Sequence, residues 1–417
     1  MSQRNVDVLI LGGGIVGIAC AYYLQGEGRN VTVIEQNRVG GGSSHGNCGT
    51  LTPSHSAPLA APGMVGTGLR WLFKPDAPLR VKPRFDPALL RWLFGFAAHC
   101  NARDFERALA AKAPLLLRSR ELIEDLVERE NLDCEFIAQG TMNVYRDAEE
   151  FDAAQPTLAL LAANGVHVDA LDEAQTLARE PALKPGVAGA LWNPGDAQLR
   201  PDRYVAELAR AARARGVTIE EGVRVEGIVR NAGAIERVVT GAGDFSAREV
   251  VFALGAWSPL LARQLGVRLP IQPGKGYSIT YTRPALCPRI PITLKDASVC
   301  VTAWNSGYRL GSTMEFAGHD TSLNRTRLDA LRRGAAVFLH EPEGPQVVEE
   351  WYGWRPMTPD DLPILGRAPG CDNLILATGH GMLGVSLSAV TGAIVADVAA
   401  GRAPAFDMAP FAASRYA

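Results

Sequence analysis

The apolar stretch Val6-Asp7-Val8-Leu9-Ile10-Leu11 runs straight into Gly12-Gly13-Gly14-Ile15-Val16-Gly17. The stretch before the glycines reads as a buried strand, and Ala19, Ala21 and Leu24 continue beyond them as an apolar helix. A second strand, Val31-Thr32-Val33-Ile34, ends on Glu35. A strand, tight turn, helix and strand closing on an acid roughly 20 residues past the glycines is the dinucleotide fingerprint. Gly12 permits the turn, Gly14 lets the backbone approach a pyrophosphate, and Gly17 lets the helix pack close to the strand. The helix N-terminus at Ile15 and Val16 offers N–H groups and a positive dipole end to that pyrophosphate. Glu35 is placed to accept hydrogen bonds from the adenosine ribose hydroxyls.

A length of 417 residues suggests two domains, and 47% hydrophobic with 21% charged residues is ordinary for a globular protein. With 42 basic and 44 acidic residues the formal charge is −2, which gives nucleic acid no electrostatic footprint. The first strand starts so early that no signal peptide is expected, and no apolar run is long enough to span a bilayer. A cytoplasmic location is therefore expected. Cys20, Cys48, Cys100, Cys134, Cys287, Cys300 and Cys371 are scattered without a CxxC pair, as free thiols in a reducing compartment would be. His99, His167, His319 and His340 lack metal-ligand spacing, and no metal is expected.

Further along, helices are expected over Ala113–Glu130, Ala153–Ala163, Leu171–Arg179, Pro201–Arg215 and Arg325–Leu339. Glu135–Tyr145 reads as strand–turn–strand, and short strands follow at Val217–Glu220, Val225–Arg230 and Arg237–Thr240. Glu249–Gly255 and Leu374–Ala377 are buried strands. The loop Gly379-His380-Gly381 then leads to a helix from about Leu383 to Ala399. Strands near residues 10, 250 and 375 belong naturally to one parallel sheet, with the antiparallel material of Val267–Ser312 between them. The fold expected is α/β: a discontinuous Rossmann-like domain of glutathione-reductase type, interleaved with an α+β substrate domain on a mostly antiparallel sheet. The segments assigned are 1–60, 195–265 and 346–417 to the nucleotide domain, and 61–194 and 266–345 to the substrate domain. Such interleaving favours a flavin enzyme over a simple NAD dehydrogenase, whose Rossmann half is more often contiguous.

With these motifs the chain resembles the FAD-dependent amine and amino-acid oxidoreductases of the D-amino-acid oxidase superfamily, and within it the bacterial D-amino-acid dehydrogenase small-subunit group. The resemblance covers nearly the whole chain. It rests on Leu11–Gly17 with Glu35, Asn47-Cys48-Gly49, Ala57–Gly63, Gly195–Leu199, Lys275–Ser278, Arg355-Pro356-Met357-Thr358-Pro359-Asp360 and Thr378-Gly379-His380-Gly381. It implies extended, noncovalent FAD, hydride transfer from the α-carbon of a D-amino acid to flavin N5, and a quinone or other carrier as electron acceptor. It also implies that Ser43, Ser44, Asn47, Gly49 and Leu51 touch the pyrophosphate, ribityl chain or ring, with Gly255, Gly379, Gly381, Met382 and Leu383 completing the cofactor site. An ordinary polar turn is the plainer account of the serine-rich segment. Val225 is placed to offer backbone bonds to adenine. The chain departs from the pattern at His55, where a tyrosine is usual, and at Val385, where a tryptophan is usual. Both departures bear on the substrate rather than the cofactor, and they leave D-proline or a hydroxy-D-proline open.

Five residues are candidates for the chemistry. Arg355 suits a substrate carboxylate, because a guanidinium fork matches it in two parallel bonds; pairing with Asp360 or Asp361 is the structural alternative. His380 suits a hydrogen bond or a proton relay near neutral pH, while the helix beyond it points a positive dipole end at the flavin. Tyr277 and the weaker candidate His55 either meet substrate or pack. Tyr308 is another weak candidate. Leu69–Lys74 and Leu89–Phe94 mix aromatic and basic residues, which suits a peripheral membrane contact; two packed helices are the simpler account. Two other activities stay open: a glycine- or sarcosine-type oxidase making hydrogen peroxide, and a flavin-holding subunit of an electron-transfer complex.

Overall fold

The computed structural model describes residues 3–71 and 77–417. Strand β1 (Gln3–Leu11), helix α1 (Ile15–Gly26) and strand β2 (Val31–Glu35) open the chain. β1 lies parallel to β2 on one side and parallel to the strand Asp244–Phe252 on the other. Thr218–Glu221 extends the parallel sheet beyond β2, and Leu374–Thr378 extends it beyond Asp244–Phe252. Val225–Asn231 and Ala234–Thr240 form an antiparallel excursion, and Ile364–Arg367 pairs antiparallel with Leu374–Thr378. Both faces of the parallel strands are buried. Val8 and Ile10 pack with α1, Pro201–Ala214 and Ser388–Ala399. Leu9 and Leu11 pack with Ile228, Phe245 and Leu265 on the opposite face.

A second sheet of nine strands is mostly antiparallel. Its order runs Val347–Met357, Gln272–Tyr281, Gly307–Phe316, Val299–Trp304, Ile292–Leu294, Thr141–Tyr145, Gly189–Asn193, Asp169–Leu171. The helix Arg325–Phe338 covers one face through Leu328, Leu331 and Ala335, which meet Tyr277, Ile279, Val299, Val301 and Leu310. Successive strand residues point to opposite faces. Gly276, Cys300 and Gly311 therefore look the other way, toward the nucleotide sheet.

Three sequence expectations need correction. Val347–Met357 is an edge strand of the antiparallel sheet, paired with Gln272–Tyr281 from Val347↔Tyr281 to Met357↔Gln272, so the segment boundary at residue 346 is misplaced. The helix expected from Ala113 begins at Ala102, where the Asn101 side chain accepts from Asp104 N–H, and it runs through Pro114. The helix expected from Leu383 begins at Ser388. Side-chain bonds to backbone hold the intervening turn, from Ser386 Oγ to Thr50 O at 3.1 Å and from Ser388 Oγ to Val385 O at 2.8 Å.

Candidate active site

A cavity of about 910 Å³ lies between the two sheets, and residues from both line it. Its nucleotide end is built by the glycine turn. Gly12 has φ +108°, and a Cβ there would stand 2.6 Å from Ala253 O. Gly14 precedes α1 and brings no side-chain cap to the helix N-terminus, while Ser44 Oγ accepts from Ile15 N–H at 3.1 Å. The Glu35 carboxylate accepts from Gly13 N–H at 2.8 Å and from Asn37 N–H at 3.0 Å. Gly12, Gly14, Ile15, Val16, Glu35, Ser43, Ser44, Asn47, Val225, Gly255, Gly381, Met382 and Leu383 all line the cavity.

Four residues expected to touch a cofactor stand behind the wall. Gly17 packs on the Gly12 carbonyl. Gly49 abuts the Leu199 carbonyl, and Leu51 is buried in a two-stranded ladder with Ala197. Gly379 has φ +75° and backs onto Thr358 and Ile364. Their parts are to shape the wall, because backbone or core already fills the space beside each.

The other end holds Arg355. Its Nη1 donates to Thr313 O at 2.8 Å, and no carboxylate among the described residues pairs with it. The two acids that would satisfy it are engaged elsewhere, Asp360 with Arg415 at 2.7 Å and Asp361 with Lys112 at 2.8 Å. Burial holds the Arg355 pKa below its usual value. A β-bulge aims the carbonyl that holds it: Lys275 pairs with Glu315 but Tyr277 with Ser312. Ser312 at φ 121° and Thr313 at φ 54° carry backbone strain that is rare for side chains of their kind. Gly276 leaves room for the guanidinium; a Cβ there would come 2.3 Å from Nη1.

Tyr277 is among the residues that line the cavity, but its side chain is committed to the core. The ring packs beneath the Arg325–Phe338 helix, and the hydroxyl donates to Glu315 Oε2 at 2.7 Å, so a substrate contact is not available to it. Burial, followed by this carboxylate, pushes its pKa up. Tyr308 is likewise buried in that core, with its hydroxyl on Pro342 O. His380 pairs through Nε2 with Thr391 Oγ1 at 3.0 Å, and burial depresses its pKa to about 3. Burial and the Thr391 contact disfavour its protonation near neutral pH, against the relay expected of it; His380 and Gly381 both line the cavity. The expected helix dipole is displaced too, since the helix starts only at Ser388. His55 does line the cavity, on the short helix Pro53–Ser56, and burial with Lys295 and Lys112 nearby lowers its pKa to about 4.

These depressed histidines set a pH dependence. Between their unfolded value of about 6.5 and their folded values, the unfolded chain binds protons that the fold refuses. Their stabilising contribution is complete above pH 6.5 and is lost as pH falls toward 4 and then 3. For His380 alone this amounts to about 2 kcal/mol at pH 5. Asp196 opposes it: burial raises its pKa to about 6, so its protonated form stabilises the fold at low pH and that contribution is lost as pH rises through 6. Thermal melts of wild type and His380→Asn between pH 5 and 7 are expected to show a smaller acid loss in the variant; equal slopes would refute the assignment.

Several site residues carry no local sequence signal. Buried Arg309 donates to Asn47 O at 2.7 Å and His45 O at 3.2 Å, fixing the loop after β2. Asp196 ties Ser54, through its N–H at 3.1 Å and hydroxyl at 2.6 Å, to the Thr141 hydroxyl at 2.6 Å. Lys295, walled in by protein yet accessible from the cavity, has no ion-pair partner among the described residues, and burial lowers its pKa. No cluster of metal-binding side chains occurs among the described residues.

The model of the FAD dependent oxidoreductase (DAO) family matches residues 7–398. The D-amino acid dehydrogenase of Rhizorhabdus wittichii is 36% identical over 419 residues, spanning 99% of this chain and 100% of the relative. That of Chromohalobacter salexigens is 36% identical over 423 residues, with 99% and 100% covered. Among solved structures, glycine oxidase from Geobacillus kaustophilus matches with a TM-score of 0.81 at 27% identity, covering 99% of each chain. L-proline dehydrogenase from P. horikoshii shares the fold, with a TM-score of 0.76 at 20% identity over 100% of this chain and 98% of its own.

Proposed function

This chain belongs to the FAD-dependent oxidoreductase family, and from that premise we propose that it dehydrogenates D-amino acids at the Cα–N bond. The observation that carries the reading is Arg355, a guanidinium in the cavity wall with no carboxylate partner among the described residues. The residues at the nucleotide end fit FAD: a glycine turn without side chains, an open helix N-terminus and an acid at the end of β2. Bound FAD supplies the two-electron acceptor. We read its attachment as noncovalent, so acid precipitation is expected to leave all flavin in solution.

Arg355 binds the substrate carboxylate in two parallel bonds and fixes the α-carbon. The burial and the Lys295 and Lys112 charges that keep His55 neutral would likewise disfavour a protonated substrate amine, which favours the uncharged amine that can give up a hydride. The product imine hydrolyses to a keto acid, or stays cyclic if the substrate is a proline. The hairpin residues Thr293, Lys295 and Ser298 give the pocket polar lining. This supports a hydroxy-D-proline, whose ring hydroxyl would meet these groups. Gly276→Ala is expected to push the guanidinium aside and lower kcat/KM about tenfold or more while the flavin spectrum is unchanged; unaltered kcat/KM would refute the placement.

The electron acceptor is read as a quinone reached at a membrane surface. Met64, Trp71, Leu79 and Phe96 line part of the cavity. The helices Met64–Trp71 and Pro87–His99 turn Leu69, Leu90 and Phe94 to solvent, and Phe85 between them is 94% exposed. Apolar residues with Arg70 and Arg91 beside them suit an interfacial contact. Leu72, Phe73 and Lys74 of this stretch lie outside the described residues. Among the described residues no helix is long and apolar enough to cross a membrane. Retention of native enzyme on washed membranes at low salt is expected; complete loss would sink the contact. The fold shared with glycine oxidase keeps an oxidase reading in play, and peroxide yield at air saturation separates the two.

The deciding experiment is anaerobic bleaching of the yellow protein by paired D- and L-amino acids, including both prolines and the hydroxyprolines. Bleaching by D-enantiomers alone is expected. No bleaching by any of them, with FAD present, would overturn the reading.

A further inference from the structure

Cys48 and Cys300 come from the loop after β2 and from the strand Val299–Trp304, and both line the cavity. In the antiparallel ladder Cys300 stands directly opposite Gly311. Cys48 Sγ lies 2.5 Å from where a Cβ on Gly311 would be. The Cys48 sulfur thus takes the place of the missing cross-strand side chain, at a spacing where paired side chains touch. Cys300 acts on the Cys48 thiol as a hydrogen-bonding neighbour, and among the described residues Arg309 and Arg355 are the charges that act on Cys48. Each cysteine keeps accessible surface, whereas Cys20, Cys134 and Cys371 are buried.

We propose that Cys48 and Cys300 are a hydroperoxide-reactive thiol pair, oxidised by hydrogen peroxide to a disulfide that ties the flavin-side loop to the substrate-side sheet. The Cys300 hydrogen bond holds the Cys48 thiol below its usual pKa against the opposing effect of burial, and the two guanidinium groups add to this, whereas Cys300 is pushed up. The nearby guanidinium groups of Arg309 and Arg355 favour deprotonation of Cys48, which makes Cys48 the attacker and Cys300 the resolver. In the first step the Cys48 sulfur attacks one peroxide oxygen: an S–O bond forms, the O–O bond breaks, and hydroxide leaves. In the second, the Cys300 sulfur attacks Cys48; the S–S bond forms, the S–O bond breaks, and the Cys300 proton leaves with the oxygen as water. Two thiols are oxidised, and one peroxide is reduced to two waters.

The inference rests on the two strands and the loop, and it holds whichever amino acid is the substrate. The test uses the FAD-loaded wild-type enzyme, treated with about one equivalent of hydrogen peroxide and mapped by mass spectrometry under non-reducing conditions. A Cys48–Cys300 crosslink is expected, reversed by dithiothreitol. In Cys300→Ser treated with several equivalents of peroxide, Cys48 is expected to proceed through sulfenic to sulfinic acid, which dithiothreitol does not reverse. Free Cys48 and Cys300 in treated wild type, or Cys48 over-oxidised there without a crosslink, would overturn the proposal. Neither readout depends on turnover, so a failed amino-acid screen leaves this test intact.

Discussion

Arg355→Met is expected to lower kcat/KM for D-amino acids by roughly 30- to 5,000-fold, equivalent to about 2–5 kcal/mol for stripping one partner from a desolvated charge pair. Among the described residues the guanidinium has one protein hydrogen bond, to Thr313 O, and no carboxylate partner, which leaves it free for the carboxylate proposed for the substrate. The same substitution is not expected to destabilise the fold. Burial already depresses the arginine's pKa, a sign that its charge is held at a desolvation cost, and methionine removes that cost. Steady-state kinetics together with a thermal melt of the flavin-loaded variant give both readouts. A loss of activity below threefold, or a loss in step with a lower melting temperature, would make Arg355 a structural arginine. Lysine should not rescue it fully, since an ammonium lacks the planar fork.

Gly17→Val is expected to yield protein without FAD, much of it unfolded. A Cβ at Gly17 would lie 2.0 Å from the Gly12 carbonyl oxygen and 3.1 Å from its carbon. Both are backbone atoms in the turn itself, so relief requires moving α1 off β1. That movement would also pull the helix N-terminus from the pyrophosphate position. Gly26, the last residue of the same helix, has nothing within 4 Å of its missing Cβ. Gly26→Ala is therefore the control: full FAD content, and a slightly firmer helix by roughly 0.5–1 kcal/mol. The flavin-to-protein absorbance ratio decides between them. A Gly17→Val protein with full flavin would refute the packing argument.

The N-terminal strand, turn and helix can be read from sequence because each glycine there answers a local requirement of the turn. The shared sheet of β1, Asp244–Phe252 and Leu374–Thr378 can also be read, since fully buried parallel strands appear as continuous apolar runs. Facing is harder. Whether Tyr277 or Gly276 looks into the cavity depends on register and on a bulge at Ser312–Thr313 that no composition announces. The meeting of Cys48 with Cys300, and of Arg309 with the carbonyls of His45 and Asn47, depends on pairing between distant segments. His380 misleads for a related reason. Its motif suggests a titrating side chain, whereas Thr391, one helix turn into Ser388–Ala399, takes the ring and burial keeps it neutral.

The strand order has a consequence for how the protein is made. β1 leaves the ribosome long before its neighbour Asp244–Phe252, and the sheet beyond that awaits Leu374–Thr378. α1 waits longer still: Ala19 O and Tyr23 fill the space over Gly392, in the helix Ser388–Ala399. The nascent chain must therefore carry an apolar strand and helix that lack several of their later partners while the intervening segments are made, a period in which chaperone binding would protect them. Flavin has no finished pocket to enter until residue 399 has emerged, so cofactor loading follows synthesis of both sheets, and growth in limiting riboflavin would accumulate apoprotein that already contains the helix Ser388–Ala399.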